Sequence, residues 1–179
     1  TLMLALPGGA YVYQGEELGL PEHTALPDEV RQDPTFARTD GRELGRDGCR
    51  VPMAWEQGAP ALGFSSTGAA WLPQPPAYSD LAVDAQTGVE GSTLELYRRL
   101  LAVRRDRRLG LAGLDEVEDM GDDAVGYVAT SPDGTRTLVV ANLGAQPVTL
   151  PQGAVVLVAS DDLVDGRVPT DTAVWAELA

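Results

Sequence analysis

The chain has 179 residues, of which 44% are hydrophobic, and a formal net charge of −14. A packed core is therefore expected rather than global disorder. All 13 basic residues are arginine against 27 acidic residues, which argues against nucleic acid as a partner because phosphate binding needs a concentrated positive face. No apolar stretch approaches the ~20 residues needed to cross a bilayer, so no membrane partner is predicted.

The first predicted elements lie within residues 1–17. Residues 1–6 look like the tail of a helix or a buried run, which is an unusual natural start and indicates a fragment. Residues 10–13 predict a short buried strand that ends at the polar stretch 14–17, as when a parallel α/β strand delivers side chains to an active face. A proline-bearing loop over about 20–72 follows, and loops of this length are often functional.

One helix is predicted over residues 92–108. Ser92 and Glu95 have the spacing of a capping box, and leucines then recur at helical spacing. Gly110 is expected to end the helix. Four arginines crowd its last turn, where positive charge suits the helix dipole; they are Arg104, Arg105, Arg107 and Arg108. We interpret them as a solvated helix end, with a phosphate site as the alternative.

Residues 109–179 predict an all-β region. Residues 125–130 alternate in polarity, residues 131–134 are a strong turn signal, and residues 137–141 complete a hairpin. Further strands are predicted at 147–150, 154–159 and 172–178. Short strands with turns at this spacing predict a small antiparallel sandwich.

Candidate functional residues concentrate in the loop stretch 45–55. Arg46 and Arg50 can reach one carboxylate or several sugar hydroxyls, because the guanidinium offers a fixed fork of donors. Trp55 offers an apolar platform for a sugar face. On the residues alone, local salt bridges for the arginines and a packing role for Trp55 are the favoured interpretation.

The adjacent carboxylates Glu16 and Glu17 follow the predicted strand. Neighbouring strand residues point to opposite sides, so they are poor candidates for a glycosidase pair, which needs two carboxyls facing one bond at ~5–9.5 Å. A carboxylate bonded to backbone N–H groups or to an arginine is the alternative.

Cys49 is the single cysteine, so no intrachain disulfide is possible. His23 is the single histidine, and without a Cys/His cluster neither a metal nor another cofactor is predicted. A cytoplasmic protein is the simple interpretation, although a secreted enzyme without disulfides has the same composition.

The motifs, taken in order, resemble the α-glucosidases of glycoside hydrolase family 13, the α-amylase superfamily. Residues 6–19 resemble the eighth barrel strand with its Tyr-Gln-Gly-Glu-Glu signature, and residues 46–55 resemble the family's Arg-Asp-x-x-Arg-x-Pro-Met-x-Trp segment. The segments 63–65, 70–73 and 96–100 follow in family order. The resemblance is to the oligo-1,6-glucosidase and maltase type, and the lysine-free, arginine-only composition resembles its actinobacterial branch.

The resemblance implies an α/β fold followed by an all-β domain. Residues 1–108 are then the last strand, long loop and helix of a (β/α)8 TIM barrel, whose remainder is missing from the chain. Residues 109–179 are a small antiparallel β-sandwich.

The resemblance also implies a retaining mechanism, in which an aspartate nucleophile attacks the sugar and a glutamate protonates the leaving oxygen. In the family these two and a second aspartate follow earlier strands, so no catalytic residue is expected in this chain. By position, Glu17, Arg46 and Arg50 match residues that bind the sugar or gate the pocket, which implies an oligosaccharide substrate. Ala54 departs from the glutamine of many relatives.

Two other functions stay open. A related transglycosylase, such as a trehalose synthase, uses nearly the same motifs. A non-catalytic carbohydrate-binding or interaction domain could be built on residues 109–179, where Tyr127 and Trp175 are the sugar-stacking candidates. We expect the isolated chain to be inert.

Overall fold

The computed structural model describes residues 1–116 and 120–178. Contacts divide the chain into two compact units, Thr1–Tyr11 with Leu96–Ala179 and Val12–Glu95. This division is based on which residues pack together. The predicted domains 1–108 and 109–179 are instead based on which residues belong to a barrel, and the boundary at residues 108–109 stays a prediction. No helix in the described ranges is both long and apolar enough to cross a bilayer.

The first unit is built on antiparallel sheets. Its strands are β1 (Gly113–Glu116), β2 (Ala124–Thr130), β3 (Arg136–Asn142), β4 (Val148–Thr149), β5 (Val155–Ala159), β6 (Arg167–Val168) and β7 (Thr172–Leu178). Five strands form one sheet in the order β1-β2-β3-β7-β5, and β4 pairs with β6. The predicted hairpin and the three further predicted strands are confirmed, while β1 and β6 were not predicted.

The five-stranded sheet is covered on both faces. One face presents Tyr127, Val139 and Trp175, which sit in register across β2, β3 and β7 and share a buried cluster with Leu4 and Leu100. These two leucines belong to helices α1 (Leu2–Ala5) and α4 (Thr93–Asp106).

The opposite face packs against the two-stranded ribbon. Leu138 and Val140 of β3 and Val174 of β7 cluster with Val148 of β4 and Val168 of β6. Because both faces of the central strands are covered, β3 is a nearly continuous apolar run rather than an alternating one. The predicted sandwich therefore has a second layer of only two strands.

Two of the four arginines at the end of α4 are bound to the protein rather than solvated. Arg104 donates to the carbonyl oxygens of Leu4, Leu6 and Gly8 at 2.6, 2.7 and 2.5 Å. Arg107 forms an ion pair with Glu177. The solvated interpretation is therefore wrong for these two, because the carbonyls of Leu4, Leu6 and Gly8 and a strand carboxylate lie within their reach.

The helix also ends earlier than predicted. It stops at Asp106, and the left-handed residue after it is Arg108, with φ 53°, rather than Gly110. The prediction at the other end holds in part: Ser92 Oγ accepts from Glu95 N at 3.3 Å, while the Glu95 carboxylate accepts from Gly88 N at 2.8 Å.

The predicted buried strand at residues 10–13 is not formed. These residues have no regular secondary structure, and Tyr11 and Tyr13 are 88% and 49% exposed. A strand exists only where another backbone pairs with it, and within the described ranges no segment does so. The apolar pattern of residues 10–13 therefore did not predict a strand correctly, because a strand also needs a second backbone segment to pair with.

The second unit, Val12–Glu95, is mostly loop. Its regular elements are the short helices α2 (Pro34–Arg38) and α3 (Val83–Gln86) and several single 3-10 turns. Leu26, Val51, Leu72 and Tyr78 form its buried cluster with Ala54 and Ala82. The long loop is therefore packed around a small core of its own.

Candidate functional site

The loop stretch 50–53 is where three separate motifs meet. Its carbonyl oxygens have no ladder or helix partner, so other donors must satisfy them. Three side chains supply those donors: Gln14 Nε2 to Val51 O at 3.3 Å, Trp71 Nε1 to Arg50 O at 3.2 Å and Gln74 Nε2 to Pro52 O at 3.0 Å. The Tyr-Gln-Gly-Glu-Glu segment and the Trp-Leu-Pro segment are thereby both fixed to residues 45–55, which we call the arginine loop.

Two buried carboxylates shape the same loop from inside. Asp47 Oδ2 accepts from the backbone N–H groups of Gln32 at 2.7 Å and Asp33 at 2.8 Å. Asp33 accepts from Thr35 N at 2.9 Å through Oδ1 and from Arg46 N at 3.1 Å through Oδ2. We call Asp33 and Asp47 the carboxylate clamp, since together they tie residues 32–35 to residues 46–50.

The backbone donors of the clamp also fix its charge. The N–H of Thr35 and then that of Arg46, with a smaller contribution from the Arg50 guanidinium, lower the pKa of Asp33 from 3.8 to about 2. A hydrogen bond to the charged form favours that form. Asp33 is therefore a carboxylate at neutral pH and has no proton to give to a leaving group.

Arg46 and Arg50 have different surroundings. Arg50 Nη1 lies 3.1 Å from Asp33 Oδ2 and 3.8 Å from Asp47 Oδ1, and its side chain is 36% exposed. The side chain of Arg46 is exposed, and within residues 1–116 and 120–178 its guanidinium has no polar partner. The local salt-bridge interpretation is thus confirmed for Arg50 and not for Arg46.

Glu17 lies in the 3-10 turn Glu16–Leu18. Its Oε2 accepts from the N–H of Gly15 at 2.9 Å, and Gly15 has φ 89°, a conformation that glycine adopts readily. This is the backbone-bonded alternative foreseen for the pair. In the described part of the chain no hydrogen bond or ion pair joins Glu17 to Arg46 or Arg50.

A buried glutamine links this turn to the helix that follows. Gln86 Nε2 donates to Leu18 O at 2.9 Å and Leu81 O at 2.8 Å, and its Oε1 accepts from Leu94 N at 3.1 Å. Gln86 and the clamp residue Asp33 were missed from the sequence. Asp33 had a usable signal, because an Asp followed by Pro at the first helical position marks a helix N-terminus; Gln86 had none.

The exposure of the aromatic side chains decides which of them could stack against a sugar. Trp55 is 49% exposed, so the packing role favoured on the residues alone can apply to only part of its side chain. Tyr127 and Trp175 are 8% and 0% exposed, which removes both as sugar-stacking platforms. Trp71 is 54% exposed and packs edge-on against Phe64, with ring centroids 5.0 Å apart.

Metal binding receives no support from the side chains that the structure describes. Across residues 1–116 and 120–178, no three His, Cys, Asp or Glu side chains are grouped so that they could hold an ion. The acceptor oxygens of the carboxylate clamp are occupied by backbone and arginine donors.

A Tyr-Gln-Gly-Glu-Glu turn, an arginine loop, a helix and an antiparallel sheet domain follow one another in this order along the chain. Residues 1–111 match the family model described as "Alpha amylase, catalytic domain", and residues 112–175 match "Domain of unknown function (DUF3459)". The chain belongs to the α-amylase family, glycoside hydrolase family 13.

Curated relatives and solved structures agree with this assignment. A probable alpha-glucosidase of Rhizobium meliloti is 44% identical over 105 residues, which is 59% of this chain and 18% of the relative. The salivary alpha-glucosidase of Anopheles gambiae is 35% identical over 149 residues, 82% of this chain and 25% of the relative. The chain thus spans about a fifth to a quarter of these proteins.

Among solved structures, an alpha-glucosyl transfer enzyme has a TM-score of 0.79 and 32% identity, covering 98% of this chain and 34% of that one. A trehalulose synthase has a TM-score of 0.81 over 99% of this chain and 37% of that one, at 24% identity. At that identity the second similarity establishes the fold alone.

Proposed function

We propose that this chain is part of a retaining α-glucosidase that hydrolyses terminal α-linked glucose from maltose- and isomaltose-type oligosaccharides. The similarity to the alpha-glucosidases of Rhizobium meliloti and Anopheles gambiae supports this activity. Because the chain spans 18% and 25% of those relatives, the activity is proposed for the whole enzyme rather than for these 179 residues.

We assign the substrate contacts of this chain to Glu17, Arg46 and Arg50. The observation that carries the assignment is the carboxylate clamp, which holds the backbone N–H of Arg46 and the guanidinium of Arg50 through one oxygen of Asp33. A loop fixed in this way presents the free guanidinium of Arg46 from a rigid base. Because the backbone is already fixed, only the Arg46 side chain loses freedom when a sugar binds.

Glu17 suits the same task. Its Oε2 is occupied by the N–H of Gly15, which sets the orientation of the carboxylate. Its Oε1 accepts no hydrogen bond from the described residues and is available to a sugar hydroxyl. A carboxylate oxygen is a strong acceptor for such a donor.

We propose that the nucleophile, the general acid and the supporting aspartate lie in a preceding part of the enzyme. A retaining glycosidase needs one carboxyl that holds a proton for the leaving oxygen. Asp33, with its pKa of about 2, does not meet this need, and Asp47 already accepts two backbone N–H groups.

The experiment is a kinetic comparison in the enzyme that contains this chain. Arg46→Ala is expected to raise KM for maltose while the enzyme remains folded, because the substitution removes donors and leaves the clamp intact. Arg38→Ala is the matched control, since Arg38 is also exposed and lies in α2, outside the arginine loop. Equal KM values for the two variants would contradict the assignment of Arg46.

A transfer reaction is the second candidate, because a trehalose synthase/amylase of Mycobacterium tuberculosis is 31% identical over 156 residues, 82% of this chain and 23% of the relative. Product analysis separates the two. Hydrolysis releases free glucose from maltose, whereas transfer yields a new disaccharide. A new disaccharide as the main product would replace the glucosidase proposal by a transferase.

We also propose a cytoplasmic location. The support is the single cysteine Cys49, which is exposed as a free thiol and has no partner for a disulfide of the secreted type. Detection of the enzyme in culture medium rather than in the cell extract of its source would contradict this.

A further inference from the structure

An open groove of about 630 Å³ lies within the second unit, beside the arginine loop. Its lining includes Val30, Leu62, Trp71, Pro73, Gln74 and Ser79, and we call it the Trp71 groove. Every residue that lines it is uncharged, although the chain carries 27 acidic and 13 basic residues. An uncharged lining in so charged a chain favours a neutral occupant, because a charged one would lose hydration without gaining a partner.

Trp71 is held in this groove with its ring partly open to solvent. Its indole N–H donates to Arg50 O at 3.2 Å, and Phe64 braces the ring edge-on at an interplanar angle of 85°. The ring therefore cannot turn inward without losing both contacts. The bond to Arg50 also joins the groove directly to the loop that carries the proposed substrate arginines.

Part of the wall of the groove, at Ala61 and Leu62, is held in an unusual backbone conformation. Ala61 and Leu62 both have positive φ, 46° and 48°, which non-glycine residues rarely adopt. The carbonyl of Leu62 accepts from the N–H groups of both Trp55 at 2.8 Å and Glu56 at 3.0 Å, and this fixes the wall. Strained backbone that its surroundings enforce is typical of ligand-binding segments.

Two polar side chains complete the lining. Gln74 Nε2 is used by the carbonyls of Pro52 and Met53 at 3.0 and 3.4 Å, which orients its amide. Within the described ranges neither Gln74 Oε1 nor the Ser79 hydroxyl has a hydrogen-bond partner. Both groups can therefore bond to hydroxyl groups of a ligand.

We propose that the Trp71 groove binds one glucosyl residue of a neutral α-glucan, as a subsite additional to Glu17, Arg46 and Arg50. The proposal rests on the proposed function, which supplies the sugar. A pyranose has an apolar C–H face that stacks on an indole ring and hydroxyls at its rim. This matches an aromatic platform flanked by two polar side chains and no charge.

The three tryptophans of the chain make a direct test possible. Trp175 is fully buried, while Trp55 and Trp71 are similarly exposed at 49% and 54%. Trp55→Phe leaves Trp71 as the exposed fluorophore, and Trp71→Phe leaves Trp55 as the matched control. Acrylamide quenching of the 179-residue chain is measured with and without maltotetraose.

Maltotetraose is expected to reduce quenching in Trp55→Phe and to leave quenching in Trp71→Phe unchanged. Calorimetry with Trp71→Ala is expected to show about tenfold weaker binding of maltotetraose than the unchanged chain, equivalent to ~1.4 kcal/mol. A galacturonate tetramer is expected to protect neither variant, because the groove offers no partner to its carboxylates.

Protection of both variants, or of neither, would overturn the proposal. A second outcome would also overturn it: acrylamide fails to quench Trp71 before sugar is added, and sedimentation shows an oligomer. The groove would then be a contact between protein molecules. The readout is binding rather than turnover. A failure here therefore leaves hydrolysis by the whole enzyme untouched, and a failure of hydrolysis leaves this result interpretable.

Discussion

Replacing Gln86 with methionine tests how the 3-10 turn Glu16–Leu18, which contains Glu17, is held in place. The substitution keeps the length of the side chain and removes the amide. It leaves the carbonyls of Leu18 and Leu81 and the N–H of Leu94 without the partners they have now. Leu94 is in the first turn of α4, where an N–H has no acceptor within the helix.

The expected cost follows from those three groups. A buried polar group left unsatisfied costs ~1–3 kcal/mol, so three groups at the lower end give about 3 kcal/mol of lost unfolding free energy. Gln57→Met is the control, because the bond from its amide to Asp80 is exposed and such surface changes stay within about 0.5 kcal/mol.

Urea unfolding followed by tryptophan fluorescence measures both variants, since Trp55 and Trp71 lie in the same unit as Gln86. Hydrogen exchange adds a local readout, because the amide of Leu94 should exchange faster in Gln86→Met alone. Equal midpoints for the two variants and an unchanged Leu94 amide would refute the linkage between the Glu16–Leu18 turn and the helix.

Three further outcomes are expected from stability measurements. The pKa of Asp33 in the folded protein is about 2, against its ordinary value of 3.8. Its stabilising contribution is therefore present above pH 3.8 and is lost as the pH falls towards 2. Acid titration of Asp33→Asn should lack this loss of stability. Gly48→Ala places a Cβ 2.9 Å from a backbone oxygen and should cost about 1–3 kcal/mol, whereas Gly113→Ala, with its nearest atom at 4.0 Å, should not. Arg104→Ala should cost about 2 kcal/mol in thermal unfolding, and Arg105→Ala, whose side chain is 78% exposed, should cost far less; equal values would contradict the carbonyl-binding role.

The β-region was predictable because its signals are local. Alternating residues in β2 and the turn at 131–134 lie within one short stretch of sequence, and pairing β2 with β3 needs no distant information. Strand β1 was not predicted because residues 113–116 combine glycine with two acidic residues. It forms a strand through its pairing with β2. Edge strands of this kind are defined by the neighbour rather than by their own composition.

The candidate site was predictable only in part. The arginine loop carries a recognisable order of residues, but the clamp joins Asp33 to positions 13 and 17 residues further along the chain. Gln86 reaches Leu18 over 68 residues. Contacts between irregular loops follow no sequence period. The sequence pattern therefore identified the arginine loop but not the residues whose hydrogen bonds hold it in place.

The predicted strand at 10–13 illustrates the reverse case. Its apolar pattern is real, yet backbone pairing is a property of two segments and the sequence of one cannot provide it. The same reasoning explains Arg104 near the end of α4, whose acceptors, the carbonyls of Leu4, Leu6 and Gly8, lie almost a hundred positions earlier.

Hydrolysis of 4-nitrophenyl α-glucoside shows whether the reacting carboxylates lie in these residues or, as we propose, elsewhere in the enzyme. The 179-residue chain and an extended form that also carries the proposed remainder of the barrel are assayed side by side at equal concentration. We expect nitrophenol release from the extended form and none from the chain. Release by the chain itself would mean that its own carboxylates do the chemistry, and the account would be wrong.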